Sequence, residues 1–214
     1  MTTTTATRPR RTWWQFAGYL ARRALVMELH GYQNIYRFVC RRPRVPAGAA
    51  GYSYHQPVLA ILIVFIVVSA VEMVVVDVIV RRWTYVRVPL LALSIWGLVF
   101  MLGLLFGMLV RPHAVGPDGI RLRNGSEVDI PIGWDDVQSV TRRRNVIQEK
   151  QPKVTMDADG QATLHMRVQN ETNIEIQLER AMPLRQPHGT ETVRRVHLYA
   201  DDPAAFLTEV RRYT

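Results

Sequence analysis

From Pro57 to Val110 the chain is almost wholly apolar, and this block is broken only by the short link from Arg81 to Tyr85. Each half, Pro57 to Val80 and Val86 to Val110, exceeds the roughly 20 residues that a helix needs to cross a hydrocarbon core of ~30 Å. The charges inside them are few: Glu72 and Asp77 in the first half and Arg87 at the edge of the second. What remains of a 214-residue chain is too small to bury two such helices in a soluble core. The link allows only a tight turn, so the two spans form an antiparallel hairpin with both chain termini on one side.

Charge then orients the hairpin. Residues 1 to 56 carry nine arginines against one acid, Glu28, whereas residues 111 to 214 carry 15 bases and 15 acids. Arginines crowd both outer flanks of the hairpin, and the positive-inside bias places both termini in the cytoplasm. The expected location is a cytoplasmic membrane with a multi-pass chain. A sequence pI near 10.3 suggests nucleic acid at first sight. A neutral C-terminal part behind a basic arm beside an apolar block argues instead for anionic lipid, so nucleic acid is not expected as a partner. The single cysteine, Cys40, excludes a disulfide framework and suits a reducing compartment. The Arg10-Arg11 pair does not lead into an uninterrupted apolar stretch, so no cleaved signal peptide is expected.

The arm, residues 1 to 45, has helical periodicity. Trp13, Ala17, Leu20, Ala24 and Met27 gather on one face, with Arg11, Gln15 and Arg22 opposite. Gly31 is read as an interruption, after which a second short amphipathic stretch follows. Trp13, Trp14 and Leu20, with Arg11, Arg22 and Arg23, make a membrane-surface arm; packing of the apolar face on the C-terminal domain or on a partner helix is the alternative. Residues 46 to 56, rich in Pro, Gly and Ala, are read as a linker.

After Arg111 the period changes to alternation, with turn signals every eight to twelve residues. Strands are expected at 113–115, 120–123, 128–132, 137–144, 154–156, 162–168, 173–178 and 193–199, with Asn124-Gly125 as a hairpin turn. A helix closes the chain: Asp201 or Asp202 can cap it, Pro203 suits its first turn, and Ala204, Phe206, Leu207 and Val210 form an apolar stripe. Two motifs stand out, Asp118-Gly119-Ile120 before the first hairpin and Trp134-Asp135-Asp136-Val137 after it.

With these motifs the stretch from His113 to Val140 resembles the opening of bacterial, in particular actinobacterial, pleckstrin-homology-like domains that follow a two-helix membrane hairpin. The resemblance covers about half of the chain. It implies an α+β membrane protein in which residues 111–214 form a PH-like antiparallel β-barrel closed by a C-terminal helix. It also implies a membrane-tethered module without known chemistry. The loop Gly116-Pro117-Asp118-Gly119 lacks the basic residues that phosphoinositide-binding relatives place there, which argues against specific inositol-phosphate recognition.

The usual marks of chemistry are missing: there is no phosphate-binding glycine loop, no H-E-x-x-H, no G-x-S-x-G and no paired cysteines. Asp157-x-Asp159-Gly160 resembles the start of a calcium loop, but Val168 stands where the bidentate glutamate belongs, so it is read as a turn. No cofactor, no metal site and no enzymatic activity are expected. Three groups of residues are candidates for interaction. Glu72 is too deep in its span to lack a partner, and antiparallel pairing places it level with Trp96 and near Ser94, either of which can donate to it; engagement of a partner subunit is the alternative. Gly103 and Gly107 make a flat strip for helix packing, within the hairpin or between copies. Arg142, Arg143, Arg144, Lys150 and Lys153 are either a solvated strand end or a docking patch for lipid headgroups or an acidic partner. The function expected is interaction: a scaffold or accessory subunit of an envelope assembly, bound to a membrane protein or to itself, with lipid-headgroup sensing as the alternative.

Overall fold

A computed structural model of the chain describes residues 13–125, 127–146, 153–156, 159–186 and 189–214. A long helix α1 (Trp13–Val39) comes first, followed by a short strand β1 (Ala50–Tyr52). Helices α2 (Gln56–Ile79) and α3 (Thr84–Val110) are both long and apolar enough to cross a membrane. Pro57 sits in the first turn of α2, where its missing N–H costs nothing. Pro89 is the sixth residue of α3, so the carbonyl of Tyr85 lacks its helical donor. The hairpin is closed by Asp77 of α2 and Arg87 of α3, whose two hydrogen bonds measure 2.6 and 2.8 Å. Asp77 bonds Arg87 of α3 and not Arg81, which follows it by four residues in sequence. The planar guanidinium across the hairpin offers two parallel donors instead.

The remainder is two sheets and a short helix, so the chain is α+β. One sheet has the order β1–β2–β3–β4, with β2 at His113–Gly116, β3 at Gly119–Asn124 and β4 at Val128–Ile132, all antiparallel. A single 3-10 turn, Trp134–Asp136, leads to the second sheet. Its order is β5–β8–β9–β7–β6, built from Val137–Val146, Val154–Met156, Ala162–Met166, Glu171–Gln186 and Gly189–Leu198 as β5 to β9. The strands are not all antiparallel as expected. β9 returns from its hairpin with β8 and inserts between β8 and β7, running parallel to β7. The two sheets are not closed into a barrel.

Alternation explains the core. In β4, Val128, Ile130 and Ile132 point inward, and they meet Ile174, Ile176 and Leu178 of β8 and Val196 and Leu198 of β9. Helix α4 (Pro203–Val210) supplies Phe206 and Val210, with Phe206 fully buried and edge-on to Tyr52 at 5.2 Å between ring centroids. Asp202 is its cap, accepting from Ala205 N at 2.9 Å. Trp134 of the second motif reaches the end of β2, just before the first motif: it donates its indole N–H to the carbonyl of Gly116 at 3.0 Å and stacks on Tyr213. Gly119 has φ +121°, and a Cβ there would stand 2.1 Å from the carbonyl oxygen of Ile132, so only glycine closes this turn.

Candidate functional site

The segment read as a linker is where the helices and the sheets are joined. β1 extends the first sheet, pairing Ala50 with Val115 and Tyr52 with His113. Just after it, the carboxylate of Asp201 accepts from the backbone N–H groups of His55 and Gln56 at 3.1–3.3 Å. The first residues of a helix have no intrahelical acceptor for their N–H groups, and an anion there also meets the positive end of the helix dipole. Asp201, which the sequence offered as a cap for α4, thus caps α2 from across the molecule. Ser53 O accepts from Asp201 N at 2.8 Å, which completes the joint.

Beneath this joint lies a buried polar cluster. Tyr54 is 1% exposed and accepts from Gly125 N at 2.8 Å, and burial pushes its hydroxyl pKa up to about 12. Its ring lies 4.7 Å from that of His113. His113 accepts at Nδ1 from Arg123 N (3.0 Å) and donates from Nε2 to Tyr199 O (3.1 Å), so it is the neutral Nε2–H tautomer. Desolvation lowers its pKa to about 4, and the nearby Arg123 guanidinium adds to the effect. Arg123 and Arg111, both nearly buried, share Asp129 with Arg121. Burial alone would raise the Asp129 pKa, but the hydrogen bond from Arg121 and the two neighbouring guanidinium charges outweigh it and hold the carboxyl below its ordinary value. Arg123 also donates to the carbonyl of Arg44, and Arg44 N to Val110 O, so the end of α3 is fixed to the same cluster.

α1 is packed on α3. Gly31 does not interrupt it; the helix runs through, and Gly31 is a point of close approach to α3. A Cβ on Gly103 would stand 2.9 Å from the Gly31 Cα. Phe38 stacks on Phe106 at 4.2 Å, and Trp96 donates its indole N–H to Glu28 at 2.6 Å, with Tyr32 donating to the same oxygen at 3.0 Å. These contacts overturn two expectations. Gly103 faces a third helix of its own chain, neither α2 nor a second copy; Gly107 is buried on the same helix. Trp96 serves Glu28, the lone acid of the arm, and not Glu72. The contacts also give direction: α1 runs the same way as α3, so its N-terminal end points away from the sheets, contrary to the reading that both termini lie on one side.

Glu72 is exposed, and among the described residues nothing hydrogen-bonds or ion-pairs with it. Ser94 is half-buried and does not reach it, while Ser69, one turn earlier, faces Met101 of α3. Of the arm residues, Trp13, Trp14, Leu20, Arg22 and Arg23 lie in α1 and Arg22 is exposed; Arg11 falls outside the described residues. The basic cluster does not form one free patch. Arg143 pairs with Glu175 and Arg144 with Glu171, both at 3.0 Å across β5 and β8, while Arg142 is exposed. Lys150 is outside the described residues, and Lys153 lies apart.

Lys153 lines a cleft of about 400 Å³ where all the parts meet. Phe100, Gly103, Leu104 and Met108 of α3 form its floor, Met27 and Gly31 of α1 one wall, and Leu62 of α2 the other. The β3–β4 hairpin closes one end with Asn124, Gly125, Glu127 and Val128. The lining is apolar except at this end. A second polar group, Glu175, His197 and His165, forms a row across β8, β9 and β7. Its members are committed to the sheet: Glu175 takes Arg143, Arg195 and His197, while His197 also meets Asn145 and His165 meets Thr155.

No family model, curated protein or solved structure matches the chain. The cleft and the exposed carboxyl of α2 therefore carry the functional argument.

Proposed function

We propose that the protein is a membrane-anchored, non-catalytic interaction module, a scaffold or accessory subunit of a cell-envelope assembly. In this reading α2 and α3 span a bacterial cytoplasmic membrane and the sheets form a cytoplasmic PH-like domain. Two facing sheets with a helix at the end of the chain support the PH-like likeness. Arg44 and Arg111, beside the domain, support its cytoplasmic placement. The N-terminal arginines argue for that side as well, and the direction of α1 argues against it; reporters at each terminus decide.

The observation that carries the interaction reading is Glu72. It lies ~24 Å along α2 from Gln56 and ~10 Å from Ile79, out of easy reach of either interface. A carboxyl group in hydrocarbon without a donor is costly, protonated or not. A donor from a second polypeptide removes that cost, and the rest of this face of α2 (Ile61, Phe65, Val68, Val75 and Ile79) is equally exposed. A photo-crosslinking residue at position 72 should yield adducts of protein mass in membranes, whereas one at position 69, which faces α3, should not. Lipid adducts alone at position 72 would remove the support for a partner subunit.

The cleft favours a second reading, recognition of lipid, and it is developed next.

A further inference from the structure

We propose that the cleft between α1, α2, α3 and the β3–β4 hairpin binds a single phospholipid, with an acyl chain along the floor and the phosphate at Lys153. The inference rests on the membrane-spanning reading of α2 and α3. A cleft of about 400 Å³ is the size of a built ligand site, not a packing defect. Its origin is the glycine contact. Gly31 against Gly103 draws α1 onto α3, and Met27 of α1 and Leu62 of α2 line the cleft together with Phe100 and Leu104 of α3. Leu104 is 42% exposed, so the floor is reachable.

In a membrane the medium beside such a floor is hydrocarbon chain, and the polar end marks where that chain must stop. The β3–β4 hairpin stands there, and it is held rigidly: Gly125 N is bonded to the buried Tyr54, whose segment runs directly into α2. Among the described residues Lys153 has no ion pair, and its ammonium is the cation of the cleft. Glu127 is already engaged in a polar contact of its own. An apolar trough whose polar end carries Lys153, unpaired among the described residues, matches an acyl chain ending in a phosphodiester. An extended peptide segment would need acceptors for its backbone N–H groups along the trough, and the apolar walls supply none.

The test uses the full chain in a nonionic detergent, delipidated and titrated with phosphatidylglycerol, diacylglycerol or free fatty acid in mixed micelles, with bound lipid counted by native mass spectrometry. Saturable retention of one phosphatidylglycerol per chain is expected, with diacylglycerol retained more weakly. Leu104→Trp on the floor and Leu62→Trp on the wall should each abolish it, while Val75→Trp, on the exposed face of α2, should not. Lys153→Gln should weaken phosphatidylglycerol about fivefold and leave diacylglycerol unchanged. Unsaturable retention, or wild-type retention in both tryptophan variants, overturns the proposal; equal affinity for diacylglycerol overturns the role of Lys153. Resistance of the chain to alkaline extraction from membranes is measured in parallel. Loss of that resistance refutes the spanning reading, whereas failure of lipid retention alone refutes only the cleft.

Discussion

Mild acid should loosen the joint between sheets and helices through His113. The imidazole is buried among β2, β3 and the end of β9, and both ring nitrogens are committed: Nδ1 accepts from Arg123 N, and Nε2 donates to Tyr199 O. A second proton on Nδ1 would break the first bond and place a charge beside the Arg123 guanidinium, which is why the folded pKa falls to about 4 from the ordinary 6.5. The unfolded chain therefore binds the proton first. Stability from this residue is complete above the unfolded pKa and is lost as pH falls from about 6.5 toward about 4. At 1.36 kcal/mol per pKa unit the full loss is about 3 kcal/mol, of which about 2 kcal/mol is reached by pH 5. Guanidinium unfolding of the full chain in detergent micelles at pH 7.5, 6 and 5 measures this. A His113→Asn chain should be less stable at pH 7.5 but show a flatter dependence over the same range. Ring-carbon NMR of selectively labelled histidine should show His113 still neutral at pH 5.5. Titration of folded His113 near 6.5, or an unchanged slope in His113→Asn, would refute the reasoning.

Other outcomes follow from single contacts. Gly103→Val should part α1 from α3, because its Cβ meets the Gly31 backbone at 2.9 Å; disulfide cross-linking of Phe38→Cys to Phe106→Cys, in a Cys40→Ser background, should then fail. Asp201→Ala should cost about 1 kcal/mol of stability by uncapping α2, read as a lower thermal midpoint in micelles. Phe206→Ala should cost about 3–5 kcal/mol by opening the end of the core, with loss of near-ultraviolet dichroism at a lower denaturant concentration.

Much of the architecture was legible because it is written in local periods. The two apolar runs of α2 and α3 announce themselves by length, and β4 and the β3–β4 turn were placed by alternation and by Asn124-Gly125. What was missed involves partners remote in sequence. β1, Ala-Gly-Tyr, has no alternation to reveal it and exists because β2 offers an edge. β8 continues to Gln186, well past its alternating core, because β9 pairs with it beyond a bulge between Gln177 and Met182. The parallel β7–β9 pair has no local signal either, since a strand's sequence does not encode the direction of its neighbour.

The candidate site divides in the same way. Glu72 was identified from sequence alone, because a carboxyl deep in an apolar run is costly wherever the helix packs. Which donor meets it was a matter of which face α2 turns to α3, and the tertiary structure assigns Trp96 to Glu28 instead. Two signals for that were present and misread: Glu28 is the only acid among nine arginines, and Gly31 stands inside a helical period where close approach of another backbone is the usual reason for glycine. The cleft was not legible at all, since its lining comes from α1, α2, α3, the β3–β4 hairpin and Lys153. Sequence by itself determined the helices and most of the strands, β1 and the far half of β8 excepted, because backbone periodicity and turn chemistry act within a few residues. The tertiary structure alone decided how those segments share their faces, because that depends on shape and hydrogen-bond complementarity between residues tens of positions apart.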